Sequence, residues 1–468
     1  MSKIDDIKTA APRVFLQPTF DYLTAFGKKR NFKIVSSMPP ISDLDCSIEK
    51  GERCFTYRTE MMARGISLVE YQARHYGLMD RFELLNQHER LIAVSGASSS
   101  SVAIGRGMTA SGEITHLEKD FAPDKQCYFR ALIPFAKFSH KLMDYVASSP
   151  FNTEGGFRGG GYMQIAVNDK DIAVFDYCSD PVHYMIFDCY SLTTYPEFEL
   201  LLGAVCYVSG LISGSLVRDE VYIFQSKDKA FQHLTGIQFR QVEESLDAVP
   251  AIAPRIAREV SKAAVTTYMD KSILAALVSG CLQDERLLRA IKLMTESTRA
   301  PMQIRAASFS VALETMKNII ISANEEKVSP MEKAFGRKVI KELKIVLNTF
   351  PAETFKNKAM VVKKIDNLNQ VGNTEAFQLC FELVGIKLQQ SELDCIRLRN
   401  DFLHGRIPFE DEVALDHLLL QRITLQLHQL VCGLILKYKG FSGQLINNMT
   451  YIELQNGWAV TGPLFRAI

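Results

Sequence analysis

The chain has 468 residues and a mass of 52.7 kDa, which is long for a single core, so two or three domains are expected. Its 47% hydrophobic and 23% charged residues imply neither wholesale disorder nor a membrane protein, and a net charge of +1 selects no class of partner. Ten cysteines without a CxxC pair read as reduced packing residues, and the opening MSKIDDIKTAAPRV carries acids where a secretion signal needs an apolar run, so a cytoplasmic address is expected.

From the N-terminus the first half reads as strands. CFTYRTEM, RLIAVSG, SVAIGRGM, CYFRALIPF, GYMQIAVN, DIAVFDYC and HYMIFDCY are short, rich in β-branched and aromatic residues, and bounded by Gly, Asp, Asn or Ser. PFAKFSHKLMDYVASS and PEFELLLGAVCYVSGLISG have helical length and periodicity, which predicts a sheet with helices on one side. Residues Leu200 to Val217 carry no charge; three glycines and three serines in that run favour a buried helix over a membrane span. SGASSSSVAIG reads as a polar loop, because its serines have no adjacent histidine. GGFRGGGY, Gly155 to Tyr162, lacks the Lys-Ser/Thr of a phosphate loop and reads as a turn between a helix and a strand. The six histidines of this half stand singly with no HxxxH, so neither a metal site nor a cofactor is expected.

Pro250 and Pro254, in LDAVPAIAPRIAREV, mark the expected domain boundary. Residues 1–250 form a strand-rich domain, 255–440 a helical one, and 441–468 a C-terminal tail; the fold class is therefore α+β, a mostly-β domain followed by an all-α bundle. Helices are predicted around 270–295, 301–323, 331–348, 373–388, 390–404 and 409–438. Charge divides at the same place: residues 1–254 hold 26 Lys+Arg against 31 Asp+Glu, and residues 255–468 hold 28 against 22. Residues 327–364 contain ten basic residues and three acidic ones. Lys333, Arg337, Lys341 and Lys344 follow three- and four-residue spacing on one helix face, either a track for an RNA backbone or a solvated face.

The most chemically loaded stretch is LRNDFLHGR, Leu398 to Arg406. A helix from Ser391 to His404 would end at Gly405, a residue suited to a left-handed cap. At about 100° per residue, Leu393, Ile396 and Leu403 form an apolar stripe with Asn400 inside it and Arg399 and His404 flanking it. Arg399 and His404, roughly 140° apart, would converge on a ligand lying across the stripe or across a two-fold axis between two copies. Spacing alone is a weak discriminator: Arg81 with His88, Arg397 with His404, Arg399 with His404 and Arg422 with His428 all satisfy R-x4-6-H. Of these four arginines only Arg399 is followed directly by an asparagine. The bland alternative is that Arg399 and His404 only complement the negative end of the helix, worth ~0.3 to 1 kcal/mol each.

Arg399, Asn400 and His404, at the end of a late helix with glycine next, resemble the R-x4-6-H motif of the HEPN (higher eukaryotes and prokaryotes nucleotide-binding) superfamily, and in particular its Apea-like HEPN group. The resemblance covers about 260–440, including the upstream run IRAASFSVALETMKNII, and does not extend to the first half. It implies a helical bundle, a homodimer and a metal-independent endoribonuclease of the toxin or anti-phage kind, or else an inactive nucleotide-binding or scaffolding relative. It also implies catalytic roles. His404 would move protons, an imidazole being available in both forms near neutrality, Arg399 would hold phosphate charge with its planar fork, and Asn400 would orient them. RNA, tRNA included, is the expected substrate, with 2′,3′-cyclic phosphate and 5′-hydroxyl products and DNA inert for want of a 2′-hydroxyl; Arg397 and Arg406 are either further phosphate contacts or ordinary surface arginines. The first domain is expected to sense a phage or host trigger; no membrane partner is expected.

Overall fold

The computed structural model describes residues 8–35, 44–51, 54–61, 81–103, 107–135, 142–179, 181–218, 220–241, 245–252, 269–406, 417–460 and 462–468. The fold is α+β, and it divides into two compact units: residues 1–250 with 268–282, and residues 251–267 with 283–468.

The first unit begins with helix α1 (Gln17–Gly27) and six strands, β1 (Arg30–Val35), β2 (Leu44–Lys50), β3 (Phe55–Met61), β4 (Arg81–Leu85), β5 (Arg90–Ala103) and β6 (Gly107–Lys119). The order β3-β2-β1-β4-β5-β6, with β3 also pairing β6, closes these strands into an antiparallel barrel. Alternate residues point inward, as the pleat requires, and Phe32, Ile34, Ile48, Phe82, Leu84 and Ile114 are buried among the filling. Gly112 is needed on β6 because a Cβ there would sit 2.7 Å from the Tyr57 ring. From β6 the sheet continues through β14 (Leu234–Gln241), β13 (Glu220–Ser226), β7 (Cys127–Phe135), β11 (Val182–Thr193), β10 (Lys170–Ser179), β9 (Gly156–Val167) and β8 (Ser149–Thr153). Helix α2 (Tyr195–Ser213) starts at a Thr194/Glu197 capping box and ends at left-handed Gly214, after which β12 (Ser215–Leu216) pairs with β15 (Leu246–Asp247). Its Phe198 stacks on Phe129 of β7 at 4.9 Å.

Several local expectations change. GGFRGGGY is not a turn after a helix: it follows β8, and Gly156 onward is strand β9, pairing with β8 on one side and β10 on the other. The serine run is not a loop but the middle of β5, paired through Ser98↔Gly112 and Ser101↔Thr109. In both cases neighbouring strands satisfy the backbone, and side-chain composition does not decide the outcome. Of PFAKFSHKLMDYVASS, residues 136–141 lie outside the described residues; Pro134 and Phe135 end β7, and Leu142–Asp144 form a short 3-10 turn before the chain runs on to β8. The charge-free run does form a buried helix. Among the described residues it is one of two helices with the length and composition of a membrane span, and 67% of its apolar window is buried within the protein.

In the expected 270–295 helix, Asp284 breaks the chain. Helix α3 (Lys271–Gln283) groups with the first unit, and α4 (Glu285–Glu296) starts the second, its first turn capped by the Asp284 carboxylate accepting from Arg286 N at 2.9 Å. Then follow α5 (Met302–Ala323), α6 (Glu325–Val328), α7 (Lys333–Asn348), α8 (Lys358–Asp366), α9 (Asn373–Leu383), α10 (Gln390–Leu403) and α11 (His417–Tyr438). Residues 409–416 of the last predicted helix lie outside the described residues. The tail is structured: β16 (Gln444–Ile446) and β17 (Phe465–Ala467) pair around helix α12 (Asn448–Gln455), and Ile446 N reaches Ala251 O at 3.3 Å.

Candidate functional site

Helix α10 is defined at both ends. Gln389 and Glu392 form a capping box at its start, where Glu392 also pairs with Arg466 at 2.5 Å beside a cavity of about 270 Å³. Burial pushes the Glu392 carboxyl up from its ordinary value, against the Gln389 N–H and the Arg466 charge, which pull it down. At the far end His404 N donates to Asn400 O and Asp401 O, Gly405 takes φ +71°, and Arg406 N returns to Asp401 O at 2.8 Å. The glycine cap is where the sequence places it.

The buried face is another matter. Glu392, Cys395, Ile396, Arg399 and Phe402 point inward, while Asn400, Leu403 and His404 are exposed and Leu393 is half-buried. The stripe is thus rotated by about 80° from the expected one. Arg399 causes the rotation: it is a polar side chain with a built receptacle inside the bundle.

Arg399 is 4% exposed. Its guanidinium lies 3.5 Å from the centroid of the Phe377 ring on α9, and its Nη1 donates to Ile396 O at 2.8 Å. Its Nε stands 3.9 Å from Glu314 Oε2 on α5 with no hydrogen bond. The other oxygen of Glu314 accepts from Lys317 Nζ at 2.5 Å, and that ammonium also donates to Asn373 Oδ1 at 2.6 Å and sits 4.6 Å over Phe377. Burial pushes the guanidinium pKa down and the Glu314 charge opposes it. Two cations and one carboxylate around one aromatic ring tie α5, α9 and α10 together; removing Glu314 would leave two buried cations without their carboxylate. Sequence reading missed Glu314, Lys317, Asn373 and Phe377. The available signal was a Glu and a Lys three residues apart inside the apolar pattern of α5.

Arg399 and His404 therefore do not converge: one faces the core and the other the surface. A different arginine shares the surface. Arg397, Asn400 and His404 are all exposed and fall within an arc of about 60° on α10, and Arg397 with His404 keeps the R-x6-H spacing. Arg397 Nη1 rests on Asp394 Oδ1 at 2.9 Å, a pair exposed on both sides that a phosphate can displace. Arg406, just past the cap, is also exposed.

On α7, Lys333 pairs with Glu325 at 3.6 Å and Lys344 pairs with Asp366, whereas Arg337 and Lys341 are exposed and have no ion pair among the described residues. The four-residue basic stripe is thus half neutralised. Among the described residues no three His, Cys, Asp or Glu side chains are grouped as metal ligands.

Comparison with known protein families, with curated proteins and with solved structures finds no match to this chain. The likeness to HEPN domains therefore rests on the α10 motif and the helical context.

Proposed function

We propose that the helical unit is a metal-independent endoribonuclease of HEPN type, with its working face on the exposed side of α10. The observation that carries this reading is the exposed grouping of Arg397, Asn400 and His404 within about two turns of a glycine-capped helix end. RNA supplies its own nucleophile. His404 takes the proton from the 2′-hydroxyl, the oxygen's electron pair forms the new bond to phosphorus, and the bond from phosphorus to the 5′-oxygen breaks. The departing 5′-oxygen needs a proton, which the same histidine of a second copy provides in a homodimer. Exposed Ile304 on α5, Leu403 on α10 and Leu418 and Leu419 on α11 provide apolar surface for that pairing on three mutually packed helices. Arg397 holds the non-bridging oxygens with its planar fork, and Asn400 orients the phosphate or the imidazole. Arg406, Arg337 and Lys341 contact neighbouring phosphates.

Arg399 becomes a positioning residue in this scheme, fixing α10 on Phe377 so that His404 is presented at the surface. In keeping with the toxin or anti-phage role, the first unit restrains the nuclease or admits its trigger.

The test is incubation of the purified full chain with total RNA in EDTA, beside His404→Ala and Arg397→Ala. Cleavage by the parent and its loss in both variants supports the reading; equal cleavage by parent and His404→Ala removes it. The burial of Arg399 favours a second reading, in which the motif arginine serves packing alone and the bundle is an inactive nucleotide-binding or scaffolding relative. Absence of cleavage by the parent, with nucleotide binding retained, selects that one.

A further inference from the structure

Helix α7 is unlike the other long helices of the second unit. Of its sixteen residues only Gly336 and Leu347 are buried. Phe335 is 57% exposed, Val346 53% and Phe350, just beyond its end, 50%; with Leu343 and half-buried Val339 they fall within an arc of about 80°. Ile345 and, on α8, Met360 add exposed apolar surface. The attachment of α7 leaves this arc outward. Asn369 bonds Met331 N at 2.7 Å and Met331 O at 3.0 Å just before the helix, and a Cβ at Gly336 would lie 2.6 Å from Asn369 Nδ2. The helix is thus held at a glycine, on a narrow side next to its apolar face.

The same segment is strongly cationic. Residues 333–364 contain nine Lys or Arg and two Glu. Lys338 flanks the apolar arc, and Lys356, Lys358, Lys363 and Lys364 follow on the connection and α8; all but half-buried Lys358 are exposed.

We propose that the α7–α8 segment docks on an anionic phospholipid bilayer. An exposed apolar stripe on an amphipathic helix with lysines around it matches an interface that offers hydrocarbon below a layer of phosphates. RNA would neutralise the lysines and leave Leu343 and Val346 of the stripe in water. A second copy would cover the stripe but bring two strongly positive segments together. The lipid surface satisfies both features at once, and it places the chain against a membrane, where the sequence alone led us to expect none.

Sedimentation of the full chain with large vesicles tests this, using phosphatidylcholine alone and with about one-third phosphatidylglycerol. The protein is expected to bind the anionic vesicles, to leave them as salt rises, and to bind at least about ten-fold less tightly in each of two variants. One replaces apolar side chains (Phe335→Ser, Val346→Ser, Phe350→Ser) and the other reverses charge (Lys338→Glu, Lys358→Glu). All but Lys358 are exposed, and circular dichroism checks that both variants fold. Failure to bind either vesicle, or apolar-variant binding equal to the parent's, overturns the proposal. So does a loss of RNA retention or of a protein complex in the apolar variant with vesicle binding intact. Cleavage of RNA free in solution is read separately, so the nuclease and the docking face can fail independently.

Discussion

The guanidinium of Arg399 lies over the ring of Phe377, 3.5 Å from its centroid, inside the helical unit, while His404, five residues on, is exposed at the end of the same helix. The motif therefore divides: Arg399 packs in the core, while Arg397, Asn400 and His404 stay at the surface, where the proposed chemistry needs them.

Arg399→Ala should be strongly destabilising. It removes the side chain that covers Phe377 and leaves a cavity there, while Lys317 and Glu314 stay paired with each other; the loss is on the order of 3 kcal/mol. Urea unfolding of the second unit's transition measures it. A midpoint equal to that of the parent would show that Arg399 is not structural.

Arg397→Ala should leave that midpoint within about 0.5 kcal/mol of the parent, because its only ion pair among the described residues, with Asp394, is exposed on both sides. The same change should lower RNA cleavage by at least about 100-fold. If stability falls with activity unchanged, the two arginines have been assigned the wrong way round.

Asp284→Ala removes the cap of α4 and should cost about 1 kcal/mol at neutral pH. The Arg286 side chain holds the Asp284 carboxyl below its ordinary value, with the Arg286 N–H adding to the effect against partial burial. A depressed folded pKa contributes stability above the unfolded value, lost as pH falls through the folded one. The gap between parent and variant should therefore close in acid, and a gap that widens there would contradict the assignment.

Gly112→Val places a side chain against the buried Tyr57 ring inside the barrel and should cost about 2 kcal/mol or more. Thermal melting of the first unit reads it. An unchanged transition would mean that β3 and β6 do not close the barrel as described.

Much of the second unit was legible from local chemistry. The 3.6-residue pattern locates α5, α7 and α10, and Gly405 marks a helix end because a left-handed residue is required there. The first unit was legible only as strands. Closure depends on Phe55 to Met61 pairing with residues some fifty positions later, and no local pattern encodes that partner. The serine run of β5 and the glycines of β9 looked like loops because composition says little about a strand whose neighbours satisfy its backbone. The rotation of α10 escaped for a related reason. Arg399 goes inward only because Phe377 and Glu314, far away in sequence, wait for it. An arginine read by itself is placed in water.

The most direct measurement is the end-group chemistry of RNA incubated with the purified chain in EDTA. The account predicts 2′,3′-cyclic phosphate and 5′-hydroxyl ends from the parent and intact RNA from His404→Ala. Fragments ending in 3′-hydroxyl and 5′-phosphate, or equal cleavage by His404→Ala, would contradict it.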